Sequence, residues 1–230
     1  MYYYAFYILL IVLTILLFIR SYRVFVSFRR FCTFLLMLML CGLFYNLFVI
    51  GFGDATTSGK LLMKLSHGRT LLQGVFSPLA VIIGIQIARR FEAPVLNRKR
   101  SILTGWIFML LMIALAIRYQ FSLELEPIAY YDHLRYEPVT QQELYLISAT
   151  TGFILLFVSL LVYEKQQYAL FFGIVLIVLI GFALMRLLAG SKIYLINDLL
   201  DFMLLAGLYK ADKDSLVFAN EKGQIYENSR

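Results

Sequence analysis

Long apolar runs are the feature of this sequence that most constrains its fold. Several of them approach the ~20 residues that an α-helix needs to cross the hydrocarbon core of a bilayer. The chain as a whole is 61% hydrophobic and only 15% charged, whereas soluble domains are roughly 45–50% apolar and about 25% charged. The sequence therefore predicts an integral membrane protein built around one membrane domain.

Polar and basic segments separate these runs and indicate how many spans to expect. We predict an all-α bundle of seven transmembrane helices, at residues 2–19, 31–52, 70–88, 102–117, 144–162 and a pair within 169–209. The last pair is broken at Gly190-Ser191-Lys192. Pro78 has no backbone N–H and should kink the third span. Residues 1–209 then form the membrane domain, and residues 210–230 form a cytoplasmic tail.

The distribution of basic residues predicts the orientation. One side of the membrane would receive two arginine-rich loops, which contain Arg20, Arg23, Arg29, Arg30, Arg89, Arg90, Arg98, Lys99 and Arg100. The other side would receive Lys60, Lys64, Arg69, Lys192 and the acidic segment 122–143. Because arginine-rich loops stay in the cytoplasm, we expect the N-terminus outside and the C-terminus inside, in a bacterial inner (plasma) membrane. The net charge of +7 is explained by these loops and by anionic headgroups, so no nucleic-acid partner is expected.

Ionisable and polar residues within the last two spans are the leading candidates for a functional site. They are Arg186, Asn197, Asp198 and Asp201. Two antiparallel helices joined near Ser191 would bring Arg186 and Asp198 to similar depth, with Asp201 on the same helix face as Asp198. Ionised groups at membrane depth are costly and survive mainly when paired or facing a polar cavity. Three interpretations remain open: an interhelical ion pair, a site for a charged or polar ligand, and a proton or cation path.

Smaller polar residues in the third and fifth spans are candidate cavity-lining residues. They are Gln73 and Ser77 in the third span and Ser148, Thr150 and Thr151 in the fifth. Such residues also serve as the small, polar contacts through which membrane helices pack against one another. The sequence leaves both interpretations open.

No familiar catalytic or cofactor motif is present. His67 and His133 are weak candidates for a metal site, because zinc needs three or four convergent ligands and the two lack a recognised spacing. Two histidines also fall short of the sets that membrane haem proteins use. Lys192 and Lys210 bracket the last predicted span rather than lying within it, which argues against a retinal Schiff base. We therefore expect no metal and no cofactor.

The C-terminal tail has strand-like composition. Residues 215–220 (Ser-Leu-Val-Phe-Ala-Asn) are followed by a turn at 221–224 and by Ile-Tyr-Glu-Asn, which predicts a short β-hairpin. Preceded by Asp214, this segment resembles the first strands of PAS-type sensor domains. Together with the seven predicted spans, it resembles the seven-transmembrane N-terminal sensor modules of bacterial histidine kinases and related signalling proteins. The resemblance implies a sensor that acts through a partner; a hairpin that anchors the bundle or docks on another subunit is the alternative.

These observations predict a non-enzymatic, receptor-like sensory module or an accessory membrane subunit. Its expected partners are the lipid bilayer and another membrane or cytoplasmic protein, or a second copy of the chain. The first alternative is a small proton, cation or solute transporter subunit that uses Asp198 and Asp201. The second alternative is a membrane-embedded lipid-modifying enzyme that uses His67, His133 and loop carboxylates.

Overall fold

The structure is a computed structural model that describes residues 2–56, 59–93, 96, 99–130, 133–139, 142–188 and 194–221. At some element ends, including Arg186, it describes the backbone but not the side chain. The described residues form eight α-helices and two β-strands. Their bounds are α1 (Tyr2–Phe28), α2 (Phe31–Thr56), α3 (Gly59–Phe76), α4 (Leu79–Arg90), α5 (Lys99–Phe121), β1 (Leu125–Tyr130), β2 (His133–Pro138), α6 (Gln142–Gln166), α7 (Ala169–Leu188) and α8 (Tyr194–Glu221).

The helices have the length and composition of membrane spans, as the apolar runs predict. Among the described residues, five segments are long and apolar enough to cross a bilayer: Tyr3–Phe28, Phe31–Gly53, Gly59–Arg90, Arg100–Phe121 and Leu144–Gln166. Ala169–Met185 in α7 is apolar but shorter. The first 18 residues of α8 carry three charged side chains, Asp198, Asp201 and Lys210. The predicted helical class is confirmed, and these helices are compatible with a multi-pass membrane protein.

The third predicted span is interrupted where the sequence places its proline. α3 ends at Phe76 and α4 begins at Leu79, with Ser77 and Pro78 in a turn between them. Pro78 cannot donate a backbone hydrogen bond, and the amides of Ala80 and Val81 reach only three residues back, to Ser77 and Pro78. The first amides of α4, which have no partner within an α-helix, are thus partly satisfied by a tighter turn.

Two sequence predictions, one about the loop after the first helix and one about the C-terminal tail, are wrong. The first helix continues through Arg20 and Arg23 to Phe28, so the turn after it is confined to Arg29 and Arg30. The predicted tail strand at residues 215–220 is instead the last part of α8, which runs unbroken across the expected 209/210 boundary to Glu221. Residues 222–230, which include the second predicted tail strand, lie outside the described part of the chain. The strand prediction fails because side chains of this segment are buried against the bundle at helical spacing: Ser215, Leu216 and Ala219.

The β-hairpin of this protein lies in the acidic segment between α5 and α6 instead. β1 and β2 pair antiparallel, with Leu125 opposite Pro138 and Ile128 opposite Arg135. β2 packs against α2 and α3. The hairpin therefore forms a cap on one end of the bundle, and its side chains reach the buried groups of the helices below it.

The bundle has two ends that recur below. At the hairpin end, Arg135 of β2 lies within electrostatic reach of Tyr7 near the start of α1 and of Asp198 near the start of α8. The Tyr3 hydroxyl donates to the Ile50 carbonyl near the end of α2 at this same end. At the Arg90 end, the last residues of α4 meet the second half of α8 and the start of α2. The largest core cluster runs between these ends; its buried helical members come from α1, α2 and α4 to α8, and Phe76 of α3 packs against it. α8 contacts α1, α2, α4 and α7 and so connects the two ends along the core.

Candidate functional site

Asp198, near the start of α8, is the centre of a buried polar group at the hairpin end. Asp198 is 5% exposed. The Tyr7 hydroxyl donates to Oδ2 at 2.9 Å, and the Asn46 Nδ2 donates to Oδ1 at 2.9 Å. Both carboxylate oxygens are therefore engaged, by side chains of two different helices. This arrangement fixes α8 against α1 and α2 through polar contacts that water cannot replace in an apolar environment.

Three charged side chains of the hairpin and α3 lie beside this group. Arg69 Nη2 donates to Glu137 Oε1 at 3.0 Å and to the Tyr136 carbonyl at 3.2 Å. Arg135 Nε donates to the same Glu137 oxygen at 2.7 Å, and its Nη2 forms a second bond there. All three charged side chains are below one-tenth exposed. One carboxylate thus holds two guanidinium groups, so that the hairpin is fastened to the bundle by a buried ion cluster.

We call Arg69, Arg135 and Glu137 the hairpin cluster. Its charges interact electrostatically with the Asp198 carboxylate. Burial alone would lower the pKa of Arg135, but the Glu137 carboxylate, Tyr7 and Asp198 together raise it above its ordinary value. Burial alone would raise the pKa of Glu137, but Arg69 and Arg135 hold it below its usual range. The cluster has two positive charges against one on Glu137, and Asp198 supplies a second carboxylate within electrostatic reach of Arg135. Hairpin and helices are therefore electrostatically linked.

A cleft next to Asp198 contains the second acidic residue of α8. It has a volume of about 90 Å³ and lies between α2, the α3–α4 break and α8. Its polar lining consists of Asn46, Gln73, Ser77 and Asp201. Its apolar lining consists of Met39, Gly42, Leu43, Leu72, Phe76, Leu204 and Leu205. Gln73 is exposed and Asp201 is half-buried, so the cleft opens on the side of the bundle between α3 and α8.

A second buried carboxylate, Asp212, lies at the Arg90 end of α8. It is 1% exposed, accepts a hydrogen bond from the Thr33 hydroxyl at 2.8 Å, and forms an ion pair with Arg90. Arg90 Nη1 also donates to the Ser215 hydroxyl at 3.2 Å. We call Thr33, Arg90, Asp212 and Ser215 the Arg90 clasp. It joins α2, α4 and α8 as Tyr7, Asn46 and Asp198 join α1, α2 and α8 at the other end.

The candidate residues from the sequence fall in different places. Asp198 and Asp201 lie on neighbouring turns of α8, one in the hairpin-end group and one in the cleft, and Asn197 is half-buried beside them. The Arg186 side chain is outside the described residues, so its pairing with Asp198 stays a prediction. The polar residues of α6 do not line this cleft; the Thr150 hydroxyl donates to the Leu146 carbonyl, Ser148 is half-buried, and Thr151 is buried.

The two histidines are not brought into a recognisable metal site within the described residues. His67 lies on α3, where its ring Nδ1 is 3.2 Å from the Gln120 side-chain nitrogen. The His133 side chain is outside the described part of the chain. Among the side chains that the structure describes, no three His, Cys, Asp or Glu residues converge as metal ligands would.

Several residues of the two buried groups were not singled out by their sequence context. Tyr7 is one of several tyrosines near the N-terminus and is typical of an interfacial belt. Arg135 and Glu137 lie in a loop whose contact with the helices has no local signal. Asp212 does have a local signal, because it follows Asp198 by fourteen residues, which is about four helical turns, and therefore lies near the same helix face.

Comparison with known proteins identifies no family model that matches this chain and no curated protein that is similar to it in sequence.

Proposed function

We propose that this chain is a non-enzymatic, multi-pass membrane protein that senses a condition or ligand at its hairpin end and signals at its Arg90 end to a partner protein. It would act as a receptor-like sensory module or as an accessory membrane subunit. The observation that carries the proposal is that α8 bears a buried carboxylate near each end, Asp198 and Asp212, and each is held by side chains of other helices.

The spacing of these two carboxylates supports coupling between the ends. At 1.5 Å per residue, the fourteen residues between them correspond to about 21 Å of continuous helix. A packed helix moves as a unit, so a displacement that breaks the contacts of Asp198 is carried to Asp212 rather than absorbed locally. The hairpin provides an element that a ligand or a change in conditions can displace, because it is held to the helices by the Arg69–Glu137 ion pair, by the hydrogen bond from Arg69 to the Tyr136 carbonyl, and by packing.

The number of membrane crossings and the side on which each terminus lies are part of the proposal. If all of α7 and α8 cross the membrane, seven crossings place the N-terminus and the hairpin outside and the end of α8 inside. The basic residues at the Arg90 end favour this orientation. Arg20 and Arg23 lie in the last third of α1, Arg29 and Arg30 in the turn after it, and Arg89 near the end of α4. Fusion of a reporter to each terminus tests it. Opposite compartments for the two termini support seven crossings, and a shared compartment contradicts them.

The coupling itself can be measured with a native thiol. Cys32 is 3% exposed and precedes Thr33 of the Arg90 clasp, whereas Cys41 is exposed and can be replaced by alanine. In the Cys41→Ala background, we expect Asp198→Asn to increase the rate at which a membrane-permeant thiol reagent labels Cys32. Gly152→Ala is the control, because it crowds Leu179 between α6 and α7 and so destabilises the bundle away from both carboxylates.

The labelling rates decide between coupling and general loosening. Cys32 should be labelled faster in the Asp198→Asn variant than in the Gly152→Ala variant when each is measured the same number of degrees below its unfolding temperature. Equal labelling rates would mean that the disturbance at Asp198 stays local, and the proposed signal path through α8 would be wrong.

A second candidate function is proton or cation transport, favoured by the placement of Asp201. Its carboxylate lines the cleft and has no hydrogen-bond or ion-pair partner among the described side chains. Carboxylates of this kind serve as relays in pumps and transporters. Proton or sodium flux into proteoliposomes that is abolished by Asp201→Asn would favour transport over sensing, and absence of flux would remove this candidate.

A further inference from the structure

The cleft between α2, α3 and α8 has the composition of a binding site for one class of ligand. We infer that it binds an amphiphilic organic cation, a protonated amine carried on an apolar chain, through the carboxylate of Asp201. This inference names the ligand class of the proposed sensory role and rests on that role only for the consequence of binding.

The charge of the cleft selects for a cation. Asp201 is the only ionisable side chain among the described residues that line it, and there is no lysine or arginine to neutralise it there. This distinguishes Asp201 from Asp198, which accepts two hydrogen bonds and lies within reach of Arg135. A carboxylate at membrane depth is costly unless it is paired. A ligand with a positive charge would supply the missing partner.

The remaining polar atoms fit an N–H donor. The Asn46 Nδ2 is committed to Asp198, while its Oδ1 is buried and has no hydrogen-bond partner among the described residues. Gln73 and Ser77 add an amide and a hydroxyl, each of which has an oxygen that can accept. An ammonium group offers up to three donors. The cleft thus presents one charged and several neutral acceptors, which is the complement of a protonated amine.

The apolar part of the lining favours an organic cation over a metal ion. Calcium requires about 6–8 oxygen ligands, often with several carboxylates, and magnesium an octahedral shell that keeps several waters. The cleft has one carboxylate, and its other walls are formed by side chains such as Met39, Leu72 and Phe76. An aromatic ring near a cation adds electrostatic attraction through its negative face. These walls match the carbon atoms next to an amine.

The size and opening of the cleft limit which part of the ligand it holds. A volume of about 90 Å³ accommodates a few water-sized groups, since one water occupies roughly 30 Å³ of liquid. It lies near the middle of the apolar segment Gly59–Arg90 and opens on the side of the bundle. A headgroup would enter the cleft while its alkyl chain stays on the apolar outer surface.

The test is equilibrium binding to the purified full chain in a non-ionic detergent. Radiolabelled octylammonium is the probe, and octanol of the same chain length is the neutral control. We expect saturable binding of octylammonium that is at least tenfold tighter than that of octanol. We also expect Asp201→Asn to weaken it at least tenfold, because the substitution removes the charge and keeps the shape.

Two further variants guard against trivial explanations. Asp214→Asn makes the same substitution on the same helix, but far from the cleft, and should leave the dissociation constant within twofold of the unaltered chain. Leu204→Trp keeps Asp201 and fills the cleft, so it should also weaken binding at least tenfold. It serves as the decisive variant if Asp201→Asn does not fold, as judged by its thermal unfolding in detergent without ligand.

Several results would overturn the inference. Equal affinity for octylammonium and octanol would show that the site recognises only the alkyl chain. Unchanged binding in a folded Asp201→Asn or Leu204→Trp variant would place the amine elsewhere. Competition by millimolar sodium or calcium would indicate an inorganic cation instead. None of these outcomes bears on the terminal reporters or the labelling of Cys32, so failure of this inference is distinguishable from failure of the proposed function.

Discussion

The hydroxyl of Tyr7 donates a hydrogen bond to the carboxylate of Asp198, which lies 191 residues later in the chain, at 2.9 Å. This bond joins the first helix of the bundle to the last. The neighbouring Tyr3 hydroxyl also donates a buried hydrogen bond, but its acceptor is the neutral backbone carbonyl of Ile50. Two tyrosines on one face of α1 thus have different roles, one in general packing and one in holding a buried carboxylate.

The difference between these acceptors predicts unequal effects of the same substitution. Tyr7→Phe should lower the free energy of unfolding in detergent by about 1.5–3 kcal/mol, because hydrogen bonds to charged groups are the stronger kind and Asp198 loses a partner in a buried position. Tyr3→Phe should cost only about 0.5–1.5 kcal/mol. Chemical denaturation followed by tyrosine fluorescence measures both. An equal or larger cost for Tyr3→Phe would contradict the central role of the Asp198 group.

The hairpin cluster predicts a loss of stability in acid. The pKa of Glu137 is lower in the folded protein than its ordinary value of 4.5. A lowered carboxyl pKa contributes stability that is complete above the ordinary pKa and is lost as the pH falls through the lowered pKa. Stability measured from pH 7 downward should therefore fall below about pH 4.5.

The matched variant for this acid transition is Glu137→Gln. It should be less stable at pH 7, because breaking a buried ion cluster costs roughly 3–5 kcal/mol. It should also lose the part of the pH dependence that Glu137 contributes. Glu124→Gln, in the same loop but outside the buried cluster, should leave the acid profile unchanged. An acid transition that is identical in the unaltered chain and in Glu137→Gln would show that other carboxylates cause it.

The helices could be predicted from the sequence because each apolar run is a local property. Pro78 could likewise be assigned to a kink, which the structure shows as the turn between α3 and α4, since the missing N–H acts on its own helix. The tail could not. Val217 and Phe218 favour a strand locally, but Ala211, Ser215 and Ala219 are buried at intervals of four residues against the rest of the bundle. Tertiary packing therefore outweighs local β-propensity at the end of α8.

The candidate site was only partly predictable for a related reason. Asp198 and Asp201 stand out because ionisable residues are rare within apolar runs. Their surroundings do not stand out, because Asn46 and Tyr7 are more than a hundred residues away in sequence and are ordinary residues in their own runs. The pairing of Asp198 with Arg186 remains a prediction. A double-mutant cycle between those two residues measures whether they interact.

A close approach of two helices predicts the next outcome. A Cβ atom at Gly84 of α4 would lie 2.7 Å from Cδ2 of Leu155 on α6. A Cβ atom at Gly173 of α7 would meet, apart from its own helix backbone and chain neighbours, no atom of the described residues within 4 Å. Gly84→Ala should destabilise the bundle by about 1–3 kcal/mol through overpacking. Gly173→Ala should be neutral or stabilising by up to ~1 kcal/mol, because alanine is the better helix former. Thermal unfolding in detergent compares them, and a larger cost at Gly173 would contradict the packing of α4 against α6.

The two carboxylates near the end of α8 differ in burial, and this gives the last prediction. Asp212 is 1% exposed and is held by Thr33 and Arg90, whereas the side chain of Asp214 is 26% exposed and accepts hydrogen bonds from Lys210 and Tyr168. Asp212→Asn should lower the free energy of unfolding by roughly 3–5 kcal/mol, because it leaves the Arg90 guanidinium buried without its counter-charge.

Asp214→Asn should cost less than about 1 kcal/mol, as for other partly exposed ion pairs. It places the same chemical change two residues away on the same helix, so it controls for any general effect of removing a negative charge from a cationic protein. Double substitution of Asp212→Asn with Arg90→Gln should recover part of the loss, since the unpaired charge is then removed as well. If Asp214→Asn were the more damaging variant, α8 would be anchored by its outer face, and the Arg90 clasp could not carry a signal from Asp198.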